Sequence, residues 1–106
     1  MVQWPSVVKY RGDDELVFVK NREMWSSLYE DGGDFGLGDQ LIDANGAIYP
    51  LHDDADIDVL VSSEKMSLEK VTELVRRHAS ELGNCCVTKM IFPSFLLAIE
   101  GVASIE

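Results

Sequence analysis

A chain of 106 residues that is 46% hydrophobic and 26% charged has the composition of one ordinary folded domain, not of a disordered segment. Its formal net charge of −10, from 19 acidic against 9 basic side chains, repels phosphate backbones and anionic lipid, and so argues against nucleic acid and membrane as partners. Residues 1–106 are read as a single domain, long enough to bury roughly two thirds of its unfolded surface without metal or disulfide staples.

The first element follows Pro5: VVKYR (7–11) reads as a strand and LVFVK (16–20) as its hairpin partner, with Gly12-Asp13-Asp14-Glu15 supplying the turn. Asn21 is an N-cap for a helix over 22–30, with Glu23 favourably placed in its first turn. Met24, Trp25, Leu28 and Tyr29 share one face of that helix. Four glycines between Gly32 and Gly38 then mark a loop. QLIDA and AIYPL flank Asn45-Gly46, the dipeptide suited to a two-residue type I′ turn, and Pro50 belongs at a sheet edge or a strand end.

Beyond an acidic loop, IDVLV (57–61) has the pattern of a largely buried strand. Ser67 caps a helix running to about Leu82, with Leu68, Val71, Leu74, Val75, Ala79 and Leu82 as its apolar stripe and Gly83 as its stop. Residues 85–91 are apolar enough for one more strand, which would complete a right-handed βαβ-like unit if it ran parallel to 57–61. Phe92-Pro93-Ser94 ends that strand, and Phe95–Ala103 forms a short final helix weakened by Gly101. The order ββαβββαβα predicts an α+β fold: a mixed, mainly antiparallel sheet of about five strands with two or three helices on one face.

Chemistry is most suggested by HDDADIDVLV (52–61). Asp54, Asp56 and Asp58 have the alternate spacing of the first three ligands of an EF-hand loop, and they are the candidate metal residues, for Mg²⁺ or Ca²⁺. The glycine and the bidentate glutamate such a loop needs are Val59 and Lys65 here, so the EF-hand itself is excluded. Asp56 and Asp58 also look like the D-x-D strand of the small nucleotidyltransferases, because residues i and i+2 of a strand point the same way and can share one Mg²⁺. That plan also wants an upstream Gly-Ser pair and a third carboxylate on a later strand; Gly46 is followed by Ala47, and residues 85–91 hold no acid. The aspartates are therefore read first as a solvated acidic loop, which implies no cofactor.

The remaining reactive side chains are few. His78 borders the apolar stripe of the long helix and reads as a hydrogen-bonded residue at the edge of the core, and no nucleophile can be assigned to His52. Cys85 and Cys86 are adjacent, so a disulfide between them would be strained and both are read as reduced. No CxxC or HxxxH spacing supports zinc. Arg11-Gly12-Asp13 is explained by the hairpin turn, and Gly32-Gly33-Asp34-Phe35-Gly36 echoes cyclase and kinase signatures that are incomplete here. There is no apolar core behind a basic start at the N-terminus, and the longest apolar stretch, 91–99, is too short to span a bilayer. With reduced cysteines this predicts a cytoplasmic protein.

Trp4-Pro5, Gly12-Asp13-Asp14-Glu15-Leu16, Leu41-Ile42-Asp43 with Gly46 and Tyr49, and the helix leading to Cys85-Cys86 resemble a family of small uncharacterised bacterial proteins, a domain of unknown function. The resemblance covers nearly the full length. It implies a free-standing cytoplasmic domain and supplies neither an activity nor functional residues. The function expected is a non-enzymatic protein-interaction or accessory module, in which the acidic charge steers a protein partner. The apolar run Ile91, Phe92, Phe95, Leu96, Leu97, Ile99, Val102 and Ile105 is read first as core packing, and otherwise as partly an exposed patch for a partner or self-association. The alternative is a Mg²⁺-dependent transferase using Asp56 and Asp58.

Overall fold

The computed structural model describes residues 2–29, 35–51, 60–62, 64–83 and 89–105. In chain order they form β1 (Ser6–Lys9), β2 (Leu16–Val19), α1 (Arg22–Leu28), β3 (Gln40–Ile42), β4 (Ala47–Pro50), β5 (Glu64–Lys65), α2 (Leu68–Glu81) and α3 (Phe95–Ile105). The strands make one sheet in the order β2-β1-β3-β4-β5, and each neighbouring pair is antiparallel. The radius of gyration, 13.0 Å, is the value expected of a single domain of about 100 residues.

Period-two alternation divides the sheet into two apolar faces. Val7 pairs with Phe18 on one side and Ile42 on the other, and Ile42 pairs in turn with Ile48, a row that lies under α2 and α3. One residue along, Val8 pairs with Val17 and Leu41, and Leu41 with Tyr49, a row that faces the opposite way. Consecutive apolar residues such as Val7-Val8 and Leu41-Ile42 are what a strand covered on both faces requires. The expectation of two or three helices on one face is met by α2 and α3. Helix α1 sends Trp25 to the other side, among Val8, Val19, Leu41 and Tyr49.

The helix signals hold in detail. Asn21 accepts a 2.8 Å hydrogen bond from the Met24 N–H, and Ser67 accepts one of 3.1 Å from Lys70. Such caps contribute about 1 kcal/mol each. Gly83 stops α2 at φ +84°, a conformation that costs glycine nothing. Helix α1 is shorter than the expected 22–30 and leaves Leu28 exposed, with Tyr29 as its C-cap. His78 is not a border residue but fully buried, and its Nδ1 accepts a 2.8 Å hydrogen bond from the Leu16 N–H. That bond ties the start of edge strand β2 to the last turns of α2.

Three expectations are corrected. First, the β3–β4 connection is not a two-residue type I′ turn. Ile42 pairs with Ile48, Asp43 N donates to Ala47 O at 3.1 Å, and Gly46 N donates to Asp43 O at 2.9 Å, so the loop has three residues and ends on Gly46 at φ +80°. The Asp43 carboxylate selects this longer loop by accepting from both Asn45 N and Ala47 N. Second, the strand that closes the sheet is Glu64–Lys65, not 57–61; Leu60 and Val61 lie outside any strand, and Val61 is 79% exposed. Residues 57–59 lie outside the described residues. Third, Lys89–Ile91 do not form the strand expected over 85–91, of which 85–88 lie outside the described residues. The Met90 carbonyl instead accepts a 2.9 Å hydrogen bond from Arg76 Nε, which draws this segment along α2 and away from the sheet. Pro50 falls at the end of an inner strand, paired with Gln40, where its missing N–H interrupts nothing further along.

Candidate interaction surface

The two layers end differently at the protein surface. On the α1 side the large aromatic side chains and the buried carboxylates among the described residues are packed against partners. Tyr10, Trp25, Tyr29 and Phe35 form an aromatic cluster with ring centroids 4.6–5.9 Å apart, and the Tyr10 and Tyr29 hydroxyls meet at 3.0 Å. Burial, followed by the hydrogen bond to Tyr10, pushes the Tyr29 hydroxyl well above the ordinary tyrosine range. Asp43, fully buried, accepts from the N–H groups of Gln3, Asn45 and Ala47 and from the Tyr49 hydroxyl. Burial first and the Asp43 carboxylate second hold the Tyr49 phenol above its usual value. Asp39 is similarly engaged, receiving 2.8 Å hydrogen bonds from Arg11 N and Gly36 N. Both carboxylates therefore act as structural hubs that hold loop backbone in place.

The α3 side is open. FLLAIEGVASI has a single charge, Glu100, and is otherwise apolar or small around its whole circumference, the pattern of a helix buried on all sides. Only part of it is covered. Ala98, Ile99 and Val102 are buried against α2 and the sheet, while Leu96 is 43% and Leu97 48% exposed. Ser94 starts the helix by accepting from Leu97 N through its side chain and from Ala98 N through its carbonyl. Phe95 turns inward against Gly46, where an added Cβ would stand 2.6 Å from the ring, and Lys65 Nζ sits 5.4 Å from the ring's centre.

Lys89–Pro93 runs beside α3 and completes a concave surface. The Phe92 ring lies against Gly101, where a Cβ would come within 2.8 Å, so the glycine that weakens the helix is what lets the segment approach it. Between them opens a groove of about 660 Å³ lined by Met90, Ile91, Phe92, Pro93, Leu97 and Ile105, with Lys89, Glu100 and Ser104 at its polar edges. Ile91, 77% exposed, stands on its lip. The volume is within the usual range of clefts that take a drug-sized molecule or a few side chains. It is a mainly apolar recess, with its polar groups, Lys89, Glu100 and Ser104, among the lining residues.

Asp54, Asp56 and Asp58, together with His52, Cys85 and Cys86, lie outside the described residues. Among the described residues no three His, Cys, Asp or Glu side chains come together to hold a metal ion. The apolar run 91–105 divides as its spacing allows: Ile99 and Val102 are core, Phe92, Phe95 and Ile105 are half-buried against it, and Ile91, Leu96 and Leu97 face outward. Asp39 and Asp43 were not legible in the sequence as buried hubs, although Asp43-Ala44-Asn45-Gly46 carries the turn chemistry that could have pointed to Asp43. No helix among the described residues is long and apolar enough to cross a membrane.

The same fold occurs in a solved structure, the NMR structure of a protein from Shewanella amazonensis, with a TM-score of 0.75 and 27% identity over 100% of this chain and 91% of that one. No curated protein matches the chain. The Asp43–Tyr49 hydrogen bond and the left-handed turn at Gly46 give these residues of the resemblance noted above a structural role. A family match extends over residues 4–102, and the chain belongs to that bacterial family, DUF4144, described as a protein structure with unknown function.

Proposed function

We propose that this protein is a non-enzymatic protein-interaction module of the bacterial cytoplasm that docks protein through the groove between Lys89–Pro93 and α3. One observation carries the reading: a helix apolar around its circumference leaves Leu96, Leu97 and the adjoining Ile91 in water. Exposed apolar area of this kind, concave and rimmed by polar residues, is characteristic of recognition surfaces. On the opposite layer Asp39 and Asp43 hold loop backbone through hydrogen bonds. The transferase alternative has no supporting observation among the described residues.

The reading is tested by placing a photo-crosslinking phenylalanine analogue at Leu97 in bacterial cells, with the same analogue at the exposed Glu15 as control. Protein adducts formed from position 97 and absent from position 15 are expected. Equal or absent crosslinking at the two positions overturns docking through this face.

A further inference from the structure

We infer that the occupant of the α3 groove is a second copy of this chain, so that the protein forms a two-fold dimer through its helical layer; the inference rests on the docking function proposed above. The argument begins with charge. Residues 1–63 carry thirteen acidic against four basic side chains, whereas residues 64–106 carry six against five. The formal charge of −10 therefore comes almost wholly from the part of the chain before α2 and α3. A strongly basic partner would be drawn toward the first region and gain nothing from the groove. Two copies of so acidic a protein repel one another through most orientations. Contact through α2 and α3 brings apolar surface together where the sequence carries little net charge.

The balance continues at finer scale. On α2 the half-buried Glu73 is paired with both Lys70 and Arg77, which leaves that helix little net field. At the groove itself the rim carries, among the described residues, one cation, Lys89, and one anion, Glu100. A rim with one charge of each sign is self-complementary under a two-fold axis: Lys89 of each copy can oppose Glu100 of the other, and the pair forms twice. Shape follows the same rule. Ile91 and Leu97 line the recess and are exposed, so each copy offers apolar side chains at its own hollow to the hollow of the other.

The experiment is sedimentation equilibrium of the full chain from micromolar to millimolar concentration, at low and at high salt. A mass rising from 11.8 kDa toward twice that value with concentration is expected. Salt should strengthen association, because it screens the mutual repulsion of two acidic chains while leaving apolar contact in place. Leu97→Asp should weaken the dimer at least tenfold with an unchanged circular-dichroism spectrum. Lys89→Glu should weaken it, and adding Glu100→Lys should restore it, as a reciprocal pair requires. If Leu97→Asp disturbs folding, the charge-reversal pair at these exposed residues decides alone. A constant mass of 11.8 kDa, or a dimer indifferent to Lys89, Glu100 and Leu97, overturns the inference. Adducts at position 97 to a different protein, with the chain itself monomeric, would overturn the dimer and leave the docking function standing; no adducts at all would remove both.

Discussion

The two faces of one sheet have solved the same problem to different degrees. Below the sheet, α1, the N-terminal segment and the loop carrying Phe35 close over Val8, Val19, Leu41 and Tyr49, and each buried carboxylate is matched to donors. Above it, α2 and α3 cover Val7, Ile42 and Ile48 equally well, yet α3 then leaves apolar surface over. Folding alone explains the first face. It does not explain why the outer side of α3 bears Leu96 and Leu97, where Lys or Glu would serve the same helix with less apolar exposure. The surplus is where a role beyond folding can be sought, and hydrophobicity alone does not reveal it: Trp25 and Leu97 are both large and apolar, and only their surroundings differ.

The largest effect should come from the closed face. Trp25 is buried beneath the aromatic cluster, stacked at 5.9 Å on Phe35 and 4.6 Å from Tyr29. Trp25→Ala removes that anchor and leaves a cavity that Val8, Leu41 and Tyr49 cannot fill without moving. A loss of about 3–5 kcal/mol in chemical denaturation is expected, enough to unfold much of a marginal domain of this size. A loss under ~1 kcal/mol would mean that the cluster is loose and that the two faces do not differ as described.

Asp43→Ala should come next. Its carboxylate serves Gln3, Asn45, Ala47 and Tyr49, joining the N-terminal segment to the β3–β4 hairpin. Truncation strands buried donors at a cost of about 1–3 kcal/mol. Amide exchange should quicken at Asn45 and Ala47 and stay unchanged in α3. Uniform quickening would show that the carboxylate supports the whole fold and not one layer.

How much of this could be read from the sequence follows from the range of each interaction. Local signals were dependable: the Asn21 and Ser67 caps, the stop at Gly83 and the alternation in SVVK and LVFV depend on neighbours within a few residues. The antiparallel core of the sheet and the two helices on one face followed from them. What failed was set at long range. Arg76 holds Met90 through a hydrogen bond 14 residues away in sequence, and no propensity of Lys89–Ile91 announces it. Asp43 changed the turn by reaching back to the backbone, overriding the preference of Asn45-Gly46 for a shorter loop. His78 meets Leu16 across 62 residues, which turned a residue expected at the border into a core one. The groove was half legible: the run 91–105 is too apolar for a half-exposed helix, but which of its residues face water depends on where α2 lies.

The smallest stability effect is the most informative. Leu97 is a large apolar residue 48% exposed in the first turn of α3, where Ala is at least as good a helix former. If its outward side is surplus to folding, Leu97→Ala should change the unfolding free energy by no more than about 0.5 kcal/mol, the range of ordinary surface substitutions. It should do so while reducing whatever the groove captures. The measurement must be made at low protein concentration, because a dimer that forms only in the folded state adds stability by mass action and would make Leu97 look structural. A loss of ~2 kcal/mol at every concentration would place Leu97 in the core of the monomer and close the groove as a site. Near-zero loss in dilute solution, growing with concentration, would instead join the two observations: the residue contributes nothing to the single chain and becomes a core residue only when a second surface covers it.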